Sequence, residues 1–161
     1  MKVPAYYTEF LQRRDTFGYL ASLNENGFCD VCRTSLVSVQ NEEYVKIMYM
    51  PGLAPNLHIN VKANSMITLT VVSALSFEGY QFKGEFVSYE ELNKDEKISN
   101  DNYLNGMAEV IKEIGFKLES VLTNKYTKQK AMSIVMKVSD IYEQTPKKGT
   151  GKNINQLNPA S

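Results

Sequence analysis

Apolar and polar positions change period several times along this chain, and each change marks an element. Residues 4–14 have helical spacing, with Tyr6/Tyr7, Phe10 and Leu11 on one side and Pro4 suited to the first helical position. From Phe17 the period drops to two. The run "FGYLASLNENGFCDVCRTSLVSV" is two strands joined by Asn24-Glu25-Asn26-Gly27, where Gly27 can take the positive φ that a tight hairpin asks for. "EYVKIMYM" (43–50) is a third strand. "PGLAPNLHINVKANS" then breaks the pattern, with Pro51-Gly52 as a turn and Pro55 opening a short helix to about Ala63. "MITLTVVSA" (66–74) is β-branched enough for a buried strand, and "FEGYQFKGEFVSYEE" (77–91) is a longer one. Gly79 and Gly84 inside it suggest bends or close backbone approach.

Beyond Leu92 the spacing is helical again. Leu104, Met107, Ile111, Ile114, Leu118 and Val121 recur in steps of three and four, an apolar stripe over about five turns. Such a stripe packs on the sheet or on a partner subunit. "AMSIVMKVSDIYE" (131–143) returns to strand alternation, and the Asn-, Gly- and Lys-rich end reads as an arm or a disordered tail. Strands this close together, without helical crossovers, form an antiparallel sheet, and six of them can close into a barrel. The expected fold is therefore mainly β with peripheral helices. Residues 1–143 make a single domain with a helical insertion at about 93–124, and 144–161 make a C-terminal arm.

Composition narrows the function. Eighteen basic and eighteen acidic residues leave no net charge, against a nucleic-acid binder, whose phosphate contacts need surplus Lys and Arg. No apolar run approaches a membrane span, and the charged N-terminus is unlike a signal peptide, so a cytoplasmic protein without membrane contact is expected. The two cysteines should then stay reduced.

Cys29 and Cys32 form a C-x-x-C, but within a strand, three residues apart, so they point to opposite faces and neither close a ring nor chelate one ion. Zinc would need two further ligands where the chain has one histidine, His58, and no third cysteine. No G-x-S-x-G elbow accompanies His58, and no metal site or catalytic nucleophile is expected. "PKKGTGKN" imitates a phosphate loop but has Pro146 and Asn153 where that loop needs Gly and Ser or Thr. What remains is a set of polar residues around the second and fifth strands: Arg33, Thr34 and Ser35 in mid-strand, Gln81 and Lys83 on one strand face, and Asn56 at a helix start, where free N–H groups can meet an anion. Together they suit a phosphorylated planar ligand lying across a barrel.

Three of these stretches, "FGYLASLNENGFCDVCRTSLVSV", "NLHINVKANSMITLTVV" and "GYQFKGEF", together with the closing "IYEQTPKKGTGKNI", resemble the pyridoxamine 5′-phosphate oxidase-like, FMN-binding split-barrel family in order and spacing. The resemblance implies a six-stranded antiparallel split barrel that forms a homodimer, with FMN at the subunit interface. It lays Arg33-Thr34-Ser35-Leu36 along the flavin, puts Met48, Tyr49 and Met50 at its flank, gives its phosphate to Asn56 and Leu57, and turns Gln81 to the ring, with Lys83 nearby. Many relatives carry Lys-Thr or Ser-Arg-Lys at the phosphate position; here Asn56-Leu57 stands there, which leaves helix N–H groups, Arg33 and Lys83 to hold the anion. Some relatives take F420 or haem instead, and haem would look to His58, Cys29 or Cys32 for a ligand. The implied function is an FMN-dependent oxidoreductase or electron-transfer protein with a small-molecule or protein redox partner. The alternative is a non-catalytic split-barrel module that binds FMN, F420 or haem.

Overall fold

The computed structural model describes residues 1–117, 130–148 and 150–157. Its six strands are β1 (Thr16–Leu23), β2 (Cys29–Asn41), β3 (Tyr44–Tyr49), β4 (Met66–Ser73), β5 (Gly79–Glu91) and β6 (Met132–Glu143). They close antiparallel in the order β1-β2-β3-β6-β5-β4, with β4 hydrogen-bonded back to β1. Around them lie α1 (Ala5–Leu11), α2 (Leu57–Ala63), α3 (Lys94–Glu113) and a single turn, α4 (Ile154–Leu157). The mainly β, six-stranded antiparallel barrel expected from the alternation is what the chain forms, with the short helix after the third strand and the long one before the last.

The period of two dictates the core. Leu20, Val37, Val45, Ile47, Tyr49, Leu69, Val71, Phe82, Ile134, Met136 and Ile141 point inward and pack as one cluster. Gly27 closes the first hairpin at φ 79°, and Asn24 Oδ1 accepts the N–H groups of Asn26 and Phe28, each at 3.0 Å. β3 is buried on both sides because its outward residues Lys46, Met48 and Met50 are covered as well. Their cover is α3.

That helix starts ten residues before the first residue of its apolar stripe. A capping box fixes its start: Asn93 Oδ1 accepts the Glu96 N–H, and Glu96 Oε2 accepts the Asn93 N–H, both at 2.9 Å. Tyr103, Leu104, Met107 and Ile111 then bury their side chains with Met50, against Phe17 and Leu36. The helix ends at Glu113, so Ile114 lies just past its last turn, and Leu118 and Val121 fall outside the described residues. Two proline assignments shift. Pro4 and Pro55 stand before the first helical residue rather than on it, because Ala5 and Leu57 open α1 and α2. Residues beyond Glu143 turn back on the barrel, with Asn153 bridging to Tyr142 and Ile154 buried in the core.

The end of the barrel under α1 is tied by an ion pair between a half-exposed Arg13 and a buried Asp15. Asp15 is 4% exposed and accepts from Arg13 Nε at 3.0 Å, Arg13 Nη2 at 2.8 Å and the Ser73 hydroxyl. Burial by itself would raise the Asp15 pKa, but these donors outweigh it and hold the carboxyl below its ordinary value. A depressed folded pKa contributes stability that is present above the unfolded value, near 3.9, and is lost as pH falls through the folded one. Replacing Asp15 by Asn should therefore cost about 2 kcal/mol at pH 7. The gap between wild type and D15N in urea unfolding should narrow steadily below about pH 4.

Candidate functional site

Thr34 and Ser35 occupy an irregular stretch of β2. Opposite β3 the register runs Thr34↔Tyr49 and then Val37↔Ile47, so β2 carries one residue more than its partner. Thr34 and Val37 both face inward, and Ser35 and Leu36 stand between them where a regular strand has one residue. Thr34 and Ser35 are each 1% exposed, and among the described residues neither hydroxyl has a hydrogen-bond partner. Thr34 fits only because β1 has a glycine opposite: a Cβ on Gly18 would overlap the Thr34 hydroxyl.

Leu36 and Arg33 lie under α3. The Leu36 N–H donates to Asn100 Oδ1 at 3.4 Å, and the Arg33 guanidinium sits 4.8 Å over the Phe17 ring with Nη2 3.1 Å from the Met107 sulfur. Met48 and Met50 are buried on the same covered side, and Tyr49 points into the barrel. The strand segment that the resemblance lays along a flavin is thus roofed by the chain's own helix.

The open part of the outer surface lies to the other side of Arg33. Directly paired residues run Arg33↔Tyr19↔Thr70↔Gln81↔Tyr142 across β2, β1, β4, β5 and β6. Gln81 Nε2 lies 3.4 Å from the Thr70 hydroxyl, and Lys83, one outward position along β5, has its ammonium 4.4 Å over the Tyr142 ring. From Arg33 to Gln81 is three strand spacings, about 14 Å. Tyr19, Val31 and Met66 on this face are 43%, 61% and 43% exposed, so its middle is apolar. The structure therefore brings Gln81 and Lys83 together and sets Arg33 at the border with α3. It does not join them to Thr34, Ser35, Leu36, Met48, Tyr49 and Met50.

Asn56 and Leu57 form a third, separate place. Leu57 is buried in the core, and Asn56 sits at the start of α2 beside the Asp30 carboxylate. Asp30 Oδ2 accepts from Asn60 Nδ2 at 2.7 Å, and Oδ1 faces Asn56 Nδ2 at 3.4 Å. An FMN phosphate does not fit here. The Asp30 carboxylate puts a negative charge beside the helix start, and no Lys or Arg is among the described residues lining the adjoining cavity.

The heteroatoms available to haem are divided too. Cys32 is buried, and burial pushes its thiol up to about 11. His58 faces Tyr49 Oη at 3.4 Å and stacks on the Tyr89 ring at 3.9 Å. Cys29 is exposed on the outer face, away from both. Among the described residues no three His, Cys, Asp or Glu side chains gather as a metal site. No described helix is long and apolar enough to cross a membrane. Sequence reasoning missed Asp30, which was in view as the second residue of the C-x-x-C, and Gly18, whose value depends on a neighbour sixteen positions away.

These features define a split-barrel protein with an uncovered face on β1, β4 and β5. No protein-family model and no curated protein sequence matches the chain. Solved structures do. An FMN-binding protein from Syntrophomonas wolfei superposes at a TM-score of 0.51 with 15% identity, over 86% of this chain and 82% of that one. HupZ of Group A Streptococcus gives 0.55 and 11%, over 93% and 98%. A protein from Clostridium acetobutylicum, related to general stress protein 26 and placed in the pyridoxinephosphate oxidase family, gives 0.52 and 10%, over 94% and 95%. At these identities the likeness is one of fold: the chain has the pyridoxamine 5′-phosphate oxidase-like split-barrel fold, as its strand order implied.

Two outcomes test this geometry. Gly18→Ala should destabilise the protein by about 1–3 kcal/mol, as overpacking does, and Thr34→Ala in the same chain should restore much of that loss in thermal unfolding. Under native conditions at pH 8 a thiol reagent should modify Cys29 quickly and Cys32 only at the rate of unfolding, one equivalent before denaturant and two after.

Proposed function

We propose that this protein is a split-barrel binding module that holds a flat conjugated heterocycle of the flavin class on the outer face of β1, β4 and β5. The observation that supports this most is the row from Arg33 to Tyr142, apolar at its centre and edged by the Gln81 amide and the Lys83 ammonium. A planar ring buries Tyr19, while its heteroatoms take hydrogen bonds from Gln81 and Lys83. A second copy of the chain, through the same exposed Tyr19, Val31 and Met66, closes the face and shields the ligand from water.

This reading departs from FMN held along β2. There α3 covers Leu36 and Met50, and Asp30 stands where the phosphate would be anchored. The chain's own residues bind and orient the ring, and a redox role as an oxidoreductase or electron carrier would rest on the ligand held. Reduction of a bound flavin by NAD(P)H, followed by turnover to an acceptor, would establish that role.

The decisive experiment records the absorption spectrum of the purified protein, then titrates the apoprotein with flavins while following quenching of flavin fluorescence. Saturable binding of one flavin per chain is expected. Gln81→Ala and Lys83→Ala should each weaken it about tenfold while leaving thermal stability unchanged. A protein that is colourless and quenches no flavin would overturn the reading.

A further inference from the structure

On the outer face Lys83 stands opposite an acid that it does not meet. Lys83 of β5 and Asp140 of β6 are directly paired, so their Cβ atoms lie about 5 Å apart, a spacing at which opposite charges ordinarily attract. Among the described residues, however, no carboxylate pairs with the Lys83 ammonium. It lies 4.4 Å over the ring of Tyr142, the next outward position along β6. Asp140 turns to the C-terminal arm instead, where its Oδ1 accepts from Asn153 Nδ2 at 2.8 Å. Asn153 is itself fixed. Tyr142 pairs with Gln81 on one edge of β6 and with Asn153 on the other, the Glu143 N–H donates to the Lys152 carbonyl at 3.0 Å, and Ile154 is buried in the core. The Asn153 Oδ1 accepts the Asn155 N–H at 3.0 Å, which turns the amide nitrogen toward Asp140.

From this we infer that Asn153 is a positioning residue: it draws Asp140 away from Lys83 and so keeps that ammonium available to a ligand on the outer face. The inference rests on the reading that a flavin-class ring lies there and takes a hydrogen bond from Lys83. Lysine carries its charge on a flexible four-carbon stem, and an acid directly opposite is within its reach. Which partner it takes depends on what the acid already has. Asp140 is half-buried and needs a donor, and a neutral amide supplies one without adding charge to the face. Tyr142 offers the ammonium only its ring face, a weaker attraction than a carboxylate gives, so Lys83 can leave it for an acceptor atom of a ligand. With Asp140 released, Lys83 would pair with it, and a ligand would have to break that pair in order to bind. Asn153 thus acts through Asp140 and Lys83, which sets it apart from Gln81.

The test titrates the wild-type apoprotein and its variants with riboflavin and with FMN, following quenching of flavin fluorescence. Asn153→Ala should weaken binding about tenfold, as far as Lys83→Ala does, and Asp140→Asn in the same chain should bring it back to within about twofold of wild type. The rescue separates positioning from structure, because neutralising Asp140 does not mend an arm that has merely loosened. An unchanged affinity in N153A, or a loss that D140N does not restore, would overturn the assignment of Asn153 and leave the ring-binding reading standing. Failure of both flavins to bind the wild type would overturn the ring-binding reading and this inference with it. Should N153A not fold, D140N alone decides. An acid held off Lys83 predicts a change of less than about threefold, whereas a gain of about tenfold would show that Asp140 already occupies Lys83 in the wild type.

Discussion

The burial of the α3 stripe on the outside of β2 and β3 is the contact on which the arrangement of every candidate residue depends. It takes Tyr103, Leu104, Met107 and Ile111 out of water, and it takes Met50 and part of Leu36 with them. Burying even four such side chains is worth several kcal/mol in area terms, enough to fix the helix in place. Polar contacts set its direction. Lys46, 5% exposed, reaches Glu96 at 2.5 Å in the first turn of α3 and Glu90 at 2.7 Å on β5. The Tyr103 hydroxyl donates to the Thr16 carbonyl near the other side. A buried ammonium with two carboxylates contributes little net stability, but one that lost its partners would be costly, so the pair specifies where the helix lies.

That placement divides the barrel's outside into a covered half and an open half. The unpartnered hydroxyls of Thr34 and Ser35 belong to the covered half, where the extra residue of β2 puts both in dry surroundings. An unsatisfied buried hydroxyl costs roughly 1–3 kcal/mol, and such groups concentrate where a structure serves something other than its own stability. The open half carries Gln81 and Lys83 with the exposed apolar side chains of Tyr19, Val31 and Met66.

Sequence pattern carries most of the fold and less of the site, for a physical reason. A period of two in "FGYLASL" and "MITLTVV" follows directly from one face being buried, so those strands were legible. The long helix was legible only in its second half. Its first nine residues are polar but for Ile98, and its start is announced by the Asn93…Glu96 capping box, a signal independent of hydrophobic period. The site was less accessible because its meaning is relational. Gly18 matters through Thr34, and Arg33 and Gln81 share a row only because β1 and β4 lie between them. The prolines show the same limit on a smaller scale, since their ring restricts one φ and suits the residue before a helix as well as its first residue.

The C-x-x-C illustrates how a conspicuous pair can hide the residue between. Cys29 and Cys32 attract attention because their spacing matches metal and redox sites, yet strand geometry separates them. Asp30 shares the inward face with Cys32, two positions on, and Asn60 is delivered there by a helix thirty residues later. A carboxylate in that position has to be met by donors, because an unpaired charge in a half-buried cavity is expensive. Asn60 meets that demand with both of its amide protons, one on Asp30 and one on Ser22, and Asn56 adds a longer contact to the same carboxylate. The absence of a cationic pair at the start of α2 and the presence of Asp30 are therefore one feature: amides suffice to hold an internal carboxylate, whereas a lysine there would pair with Asp30 before it could meet any phosphate. A site of this kind cannot be converted by restoring the cation alone; the carboxylate has to go first.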